Sequence, residues 1–468
     1  MARIPDVQQY MYQRDQVKGR QLMSLLRMLR STLRAFLDTF SPLEVRNLRI
    51  YLGGQAVSLL GTWMQVTAQS WVVWKLSHST AVLGLVAMLS MLPFLLFAPW
   101  AGAWADRLDR RRFLIGSQAA AMVLALILAV LVQTGVVEVW HVAVLALLLG
   151  IVNTFDLTVQ QAFVLDLTDK EYLRKTVVIN FGLVQLGRTA GPALAGWVIS
   201  AFGVAIAFWL NGLSFIAVIA TLYLIRSQQV RRESSGKPLV EFREGLRFIL
   251  GQPRLLDLVT IMFIITFFAI ATLQLLPAFA TDVLHGQADT LGILQGASGG
   301  GALIGALFIA PVALRVRRIG LMVTLAACFI GACYIVFSRT TILPLSMLSL
   351  FFAGIGANIL LTTIMGVVQL QVPASMRGRA NSVMMMVAFG FQPIASLVLG
   401  TFASVVGTPL TVTVAGIFMV SGATCFLLFR PALRSWTLPS EAPAVEQPEV
   451  VPDVIPELVL EELEEMAA

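Results

Sequence analysis

The sequence predicts an all-α integral membrane protein with about twelve membrane-spanning helices in two six-helix bundles. Three observations predict it: an extreme apolar composition, hydrophobic runs of spanning length, and basic residues confined to alternate loops. Of 468 residues, 57% are hydrophobic and only 13% charged, with a mean hydropathy of +0.82. A soluble domain carries about twice that share of charge. Apolar runs of about twenty residues recur from Ile50 to Phe429, each long enough to cross roughly 30 Å of hydrocarbon as a helix. They lack strand alternation, which removes the closed barrel.

In chain order the expected spans are 50–74, 81–104, 113–133, 139–163, 176–201, 204–225, 256–280, 290–313, 319–337, 343–370, 380–404 and 409–429. Even-numbered connections carry Arg107, Arg110, Arg111, Arg112, Lys170, Arg174, Lys175, Arg315, Arg317, Arg318, Arg377 and Arg379, whereas odd-numbered ones carry only Lys75 and Arg339. By the positive-inside rule both termini are expected in the cytoplasm, which requires an even number of spans. The formal charge of +7 therefore reads as membrane topology and not as a nucleic-acid surface.

Residues 1–47 precede the first span, and no cleaved signal peptide is expected there. Leu22, Leu25, Leu26, Leu29, Leu33 and Phe36 recur at helical spacing opposite Arg20, Arg27, Arg30 and Arg34, a basic amphipathic helix expected to lie on an anionic membrane face. Residues 226–255 separate six spans from six and carry Arg231, Arg232, Glu233, Lys237, Glu241 and Glu244, the composition of a cytoplasmic linker. The domains read as an arm (1–47), a bundle (48–225), the linker (226–255), a second bundle (256–430) and a disordered Pro- and Glu-rich tail (431–468). A shift of about 204 positions aligns Gly150 with Gly354, Ile151 with Ile355, Gly196 with Gly400 and Gly203 with Gly407, so the halves read as an internal repeat.

Enzyme chemistry finds no foothold. There is no G-x-x-x-x-G-K-S/T loop, no Ser-His-Asp set and no metal-ligand cluster, and no cofactor is expected. His78, His141 and His285 fall near the rims of spans. Cys328, Cys333 and Cys425 sit inside apolar runs, where neither a disulfide nor a metal site is expected.

Gly102, Asp106, Arg107, Arg110 and Arg111 form G-x-x-x-D-R-x-x-R-R between spans two and three. A merely basic loop explains the arginines but not the Gly and Asp at fixed offsets, and the pattern resembles the cytoplasmic gating motif of the major facilitator superfamily. In that resemblance Asp106 faces the start of span eleven, near Gly378 to Ser382, as a latch at the cytoplasmic rim. In span five, Gly187, Gly191, Pro192, Ala195 and Gly196 form G-x-x-x-G-P-x-x-A-G, which resembles the antiporter signature of superfamily exporters, although that usually ends Gly-Gly. Small residues at this spacing equally allow a tight helix crossing.

Asn47 to Tyr51, Gly54, Gln55 and the run Ser58 to Met64 resemble the opening of the drug and siderophore exporter branch, typified by enterobactin and macrolide exporters. The similarity spans residues 44–430. It implies a proton-coupled antiporter that exports amphipathic small molecules across the bacterial inner membrane by alternating access, with membrane lipids around a monomer. A lysophospholipid flippase of the same fold and a non-transporting receptor or scaffold are the rival readings.

Ionisable groups within spans are functional candidates by default. Asp156 in span four and Arg188 in span five are the proton-coupling candidates, either as a structural ion pair or as a site that takes up and releases the proton. Polar stripes carry the substrate-cavity candidates: Thr62, Gln65 and Gln69 in span one with Ser58, Asn153 and Gln160 in span four, Gln274 in span seven, and Asn358 and Thr362 in span ten. Trp63, Trp71, Phe267 and Phe268 are the expected aromatic walls.

Overall fold

A computed structural model of the chain describes residues 38, 40–105, 109–168, 172–225, 238–309, 318–373 and 376–430. The predicted amphipathic helix of the arm, the first part of the linker and the acidic tail lie outside the described residues, as do Asp106, Arg107, Arg315 and Arg317.

The first half runs α1 (Arg46–Ser77), α2 (Thr80–Ala105), α3 (Arg110–Gln133), α4 (Val139–Asp166), α5 (Leu173–Phe202) and α6 (Val204–Leu224). After α7 (Pro238–Leu250), the second half runs α8 (Pro253–Gln274), α9 (Ala288–Ile304), α10 (Ile319–Arg339), α11 (Leu343–Gln371), α12 (Arg377–Met385), α13 (Gln392–Val406) and α14 (Thr408–Phe429). The linker segment that the sequence suggested was merely polar thus contains the helix α7.

Among the described residues, ten helical stretches are long and apolar enough to cross a membrane, with α12 and α13 forming one of them. Helices α1 and α5, at 32 and 30 residues, have the length but are more polar. Their polarity has a local cause: α1 carries Gln55, Ser58, Thr62, Gln65 and Gln69, and α5 carries Lys175, Asn180, Gln185 and Arg188.

Two spans are interrupted where proline removes a backbone donor. Pro277 follows the break at Leu275, after which a short helical segment Leu276–Ala278 leads into a π-turn at Phe279–Val283. Pro393 follows the π-turn Met386–Gly390 that joins α12 to α13. In each case the amide that would bond four residues back is missing, and the wider turn relieves the ring's clash.

The repeat reappears in the backbone. Gly203 alone joins α5 to α6 at φ 89°, ψ 159°, and Gly407 alone joins α13 to α14 at φ 88°, ψ 153°. A side chain at either position would strain a conformation that glycine adopts freely.

Within the first half α4 packs on α2 and α3, and α5 and α6 pack on α1. The halves meet along two seams, α2 with α13 and α5 with α9. A Cβ on Gly400 would lie 2.6 Å from the Thr80 carbonyl oxygen and 2.9 Å from Gly84 Cα; one on Gly292 would lie 2.6 Å from the Pro192 oxygen and 2.8 Å from Gly196 Cα. The helices therefore touch backbone to backbone, as packing inside lipid favours. Within each half the same rule places Gly150 against the Ser90 carbonyl and Gly354 against that of Ser298.

Candidate functional site

The polar stripe of α1 opens into a cavity. Thr62, Gln65 and Gln69 line one wall, Ser90 of α2, Asn153 of α4 and Asn211 of α6 close the others, and Gln274 at the end of α8 is the contribution of the second half. Residues three and four apart on a helix share a face, so a sequence stripe becomes a wall. Apolar Val66, Leu83, Met91, Leu149 and Phe215 fill the gaps, so the lining is mixed polar and apolar. Asn211 donates to Gln65 Oε1 at 2.5 Å, and Gln69 Nε2 reaches the Ser90 hydroxyl at 3.4 Å. These bonds hold the wall's amides in place.

Five of the eight predicted cavity residues come together here: Thr62, Gln65, Gln69, Asn153 and Gln274. Three do not. Gln160 lies about two turns further along α4 than Asn153, beyond the cavity, in the buried packing of the first half. Thr362 turns its hydroxyl back to the Asn358 carbonyl of its own helix, and Asn358 keeps a buried side-chain oxygen with no hydrogen-bond partner among the described residues. The expected aromatic walls are also elsewhere: Phe267 and Phe268 pack on Ala271, Ala395 and Ala415, and Trp71 is buried with Lys75 over its ring. Ser90 and Asn211 were not anticipated. Asn211, as an amide in the otherwise apolar α6, was the signal available in the sequence.

Asp156 and Arg188 do not pair. Asp156 accepts a 2.5 Å hydrogen bond from Ser117 and a 2.9 Å bond from the Gln118 amide, both on α3. The Arg188 guanidinium instead stands 5.7 Å from the centroid of the Trp63 ring on α1. The separation follows from packing, because α4 leans on α2 and α3 while α5 leans on α1 and α9. Neighbouring spans in sequence suggested an ion pair, but adjacency does not set which way a helix faces.

The span-five motif serves two different contacts. Gly187 and Gly191 admit Trp63 of α1, with an added Cβ falling 3.0 Å from Trp63 Cδ1 and 2.5 Å from its Cβ respectively. Gly196 admits α9 of the other half, where a Cβ would meet the Ala288 oxygen at 2.8 Å, and the Pro192 carbonyl faces Gly292. The Pro192–Gly196 end lies on the seam between halves, and Arg188 and Thr189 within the motif also meet Gly299 of α9, while Gly187 and Gly191 face α1.

Of the gating motif, Arg110 and Arg111 are described together with the backbone of Gly102. Arg110 makes a buried 2.6 Å ion pair with Asp166 at the end of α4. Arg111 donates to the carbonyls of Leu222 and Tyr223, at 2.6 and 3.0 Å, where α6 leaves its last acceptors unfilled. The start of α12, the expected seat for Asp106, is held from α7: Arg379 pairs with Glu244 at 2.6 Å.

Two side-chain hydrogen bonds join the halves among the described residues, Thr67 to Gln295 at 2.6 Å and Trp74 to Thr281 at 2.8 Å. Both lie toward the end of the bundle away from the arginine-bearing loops.

Residues 37–457 match the transmembrane secretion effector family of the major facilitator superfamily. The chain is 24% identical over 391 residues to a staphyloferrin A transporter of Staphylococcus aureus, covering 82% of this chain and 97% of that protein. It is 28% identical over 396 residues to the multidrug efflux pump Tap of Mycobacterium tuberculosis, covering 82% and 93%. Among solved structures, a bacterial homologue of the human lysosomal transporter Spinster superposes with a TM-score of 0.66 at 15% identity, over 86% of this chain and 100% of that one. The nucleoside transporter NupG superposes at 0.64 with 14% identity, over 82% and 99%. These last two likenesses speak for the fold.

Proposed function

The chain belongs to the transmembrane secretion effector family of major facilitator transporters, in their drug and siderophore exporter branch, and on that footing we propose that it exports amphipathic small molecules in exchange for protons. It is a transporter of the efflux or siderophore type and not an enzyme. The observation that carries the finer reading is the cavity: polar amides and hydroxyls facing apolar side chains inside a membrane-embedded bundle, with Gln274 reaching in from the second half. A scaffold has no use for such a wet space, and polar groups kept within a membrane mark a pathway.

The work would come from the proton gradient, about 2.3 kcal/mol per charge for each 100 mV of potential. Asp156 is the proton-carrying candidate. It is a carboxylate near the middle of α4, buried, with two neutral donors and no cation paired to it among the described residues. The positive-inside pattern supports an inner-membrane orientation with cytoplasmic termini. In that orientation the hydrogen-bonded rim of Trp74 and Thr281 is periplasmic, and the gating motif with the Arg379–Glu244 pair is cytoplasmic.

The test is proton release from the purified full chain in liposomes on adding siderophores, macrolides, cationic dyes or lysophospholipids, comparing wild type with Asp156→Asn. Release by wild type that the variant loses supports proton exchange through Asp156. Normal release by the variant moves coupling to another group. Efflux with no proton movement removes antiport, and flipping of lysophospholipid alone replaces the exporter by the flippase.

A further inference from the structure

Arg188 is a charge that the transport reading leaves without a task. It stands at the middle of the 30-residue helix α5, partly buried, and its carbonyl oxygen meets Gly299 of α9, so it sits where the two halves adjoin. Several other basic residues have polar partners: Arg110 has Asp166, Arg111 two carbonyls, Lys175 Asp38, Arg379 Glu244 and Arg430 Asp257. Arg188 has no ion pair and no side-chain hydrogen bond among the described residues; the face of Trp63 is its neighbour.

An aromatic face offsets only part of the cost of holding a guanidinium at mid-membrane, and its five donors remain unfilled. An unfilled guanidinium beside an indole platform describes a seat for a guest with an oxyanion at one end and an apolar body at the other.

We propose that Arg188 recognises a carboxylate on the exported molecule, with Trp63 as the apolar rest behind it, so that the preferred cargo is an amphipathic carboxylic acid. The inference rests on the exporter reading. The fork of a guanidinium matches the two oxygens of a carboxylate in two parallel hydrogen bonds, and one carboxylate cancels its single charge. A phosphate monoester carries a charge nearer two and leaves the site net negative. A cationic drug finds repulsion in the same place.

The experiment compares 11-(dansylamino)undecanoic acid with its methyl ester, as binding to the purified full chain by fluorescence and as export from proteoliposomes. Wild type is expected to bind the acid about tenfold more tightly than the ester, the scale of one charge-assisted contact. Arg188→Gln should remove that preference while leaving ester binding within about twofold, and Arg188→Lys should retain part of it because charge without the fork remains. Equal binding of acid and ester by wild type overturns the proposal whether or not any variant folds. Equal loss of both ligands in a folded Arg188→Gln protein overturns it as well, since that assigns Arg188 to packing against Trp63. Acid preference through Arg188 without export would sink the exporter reading and keep the carboxylate seat, whereas export of neutral dyes with acid and ester bound alike would do the reverse.

Discussion

The two halves share a register but not a chemistry. At the shift of 204 positions that matches Gly203 with Gly407, Asn153 falls on Ala357, Asp156 on Leu360, Gln160 on Ile364 and Asn211 on Ala415. The seams, by contrast, are nearly identical on both sides: Gly84 and Gly400 meet as Gly292 and Gly196 do. What the repeat preserves is the geometry by which one half rests on the other. What it has let diverge is polarity, which is concentrated in the first half around the cavity. The halves are mechanical equals and chemical unequals.

The largest expected effect is on the arginine pairs. Arg110–Asp166 is buried, with 6% and 11% exposure, whereas Arg379–Glu244 is about half open at 37% and 46%. Removing Arg110 strands a buried carboxylate, so Arg110→Met should cost about 3–5 kcal/mol, while Arg379→Met should cost about 0–1 kcal/mol. Chemical unfolding in detergent reads both, and equal losses would erase this contrast. Adding Asp166→Leu to Arg110→Met should restore much of the loss, because the stranded charge goes too.

The seams come next and test the likeness. Gly84→Val and Gly292→Val should each destabilise by about 1–3 kcal/mol or more, since the clash is with backbone that cannot swing aside. Similar midpoint shifts in thermal unfolding support two equivalent seams. A shift confined to one of them would make the other a loose contact.

The smallest effect probes the divergence. Asn211→Ala gives the first half the residue of the second and leaves Gln65 without its donor, at a cost of about 0.5–1.5 kcal/mol. Export should fall more than stability does, because Gln65 is then free to turn within the cavity wall. Unchanged transport kinetics would mean that the Asn211–Gln65 bond serves folding alone.

The spans were legible because lipid permits little else: a run of twenty apolar residues bounded by charge must be a helix. The expected span 343–370 falls on Leu343–Gln371. The α1 stripe was legible for the same periodic reason. The partners of Asp156 and Arg188 were not, since a helix at known depth can still face any neighbour, and only packing decides that Ser117 meets one and Trp63 the other. Thr362 stays out of the cavity because a hydroxyl in lipid can satisfy itself on its own helix. Helix α7 was hidden by its charges, although Phe242, Leu246 and Ile249 carry helical spacing.

The bonds from Thr67 to Gln295 and from Trp74 to Thr281 have a consequence for populations. Neutral hydrogen bonds contribute about 0.5–1.5 kcal/mol each, so this pair favours the closed rim by about 1–3 kcal/mol, a ratio of roughly 5 to 150. These two bonds by themselves would not make an opened rim rare. A ligand with tenfold preference for the opened rim would offset about as much as these two bonds contribute.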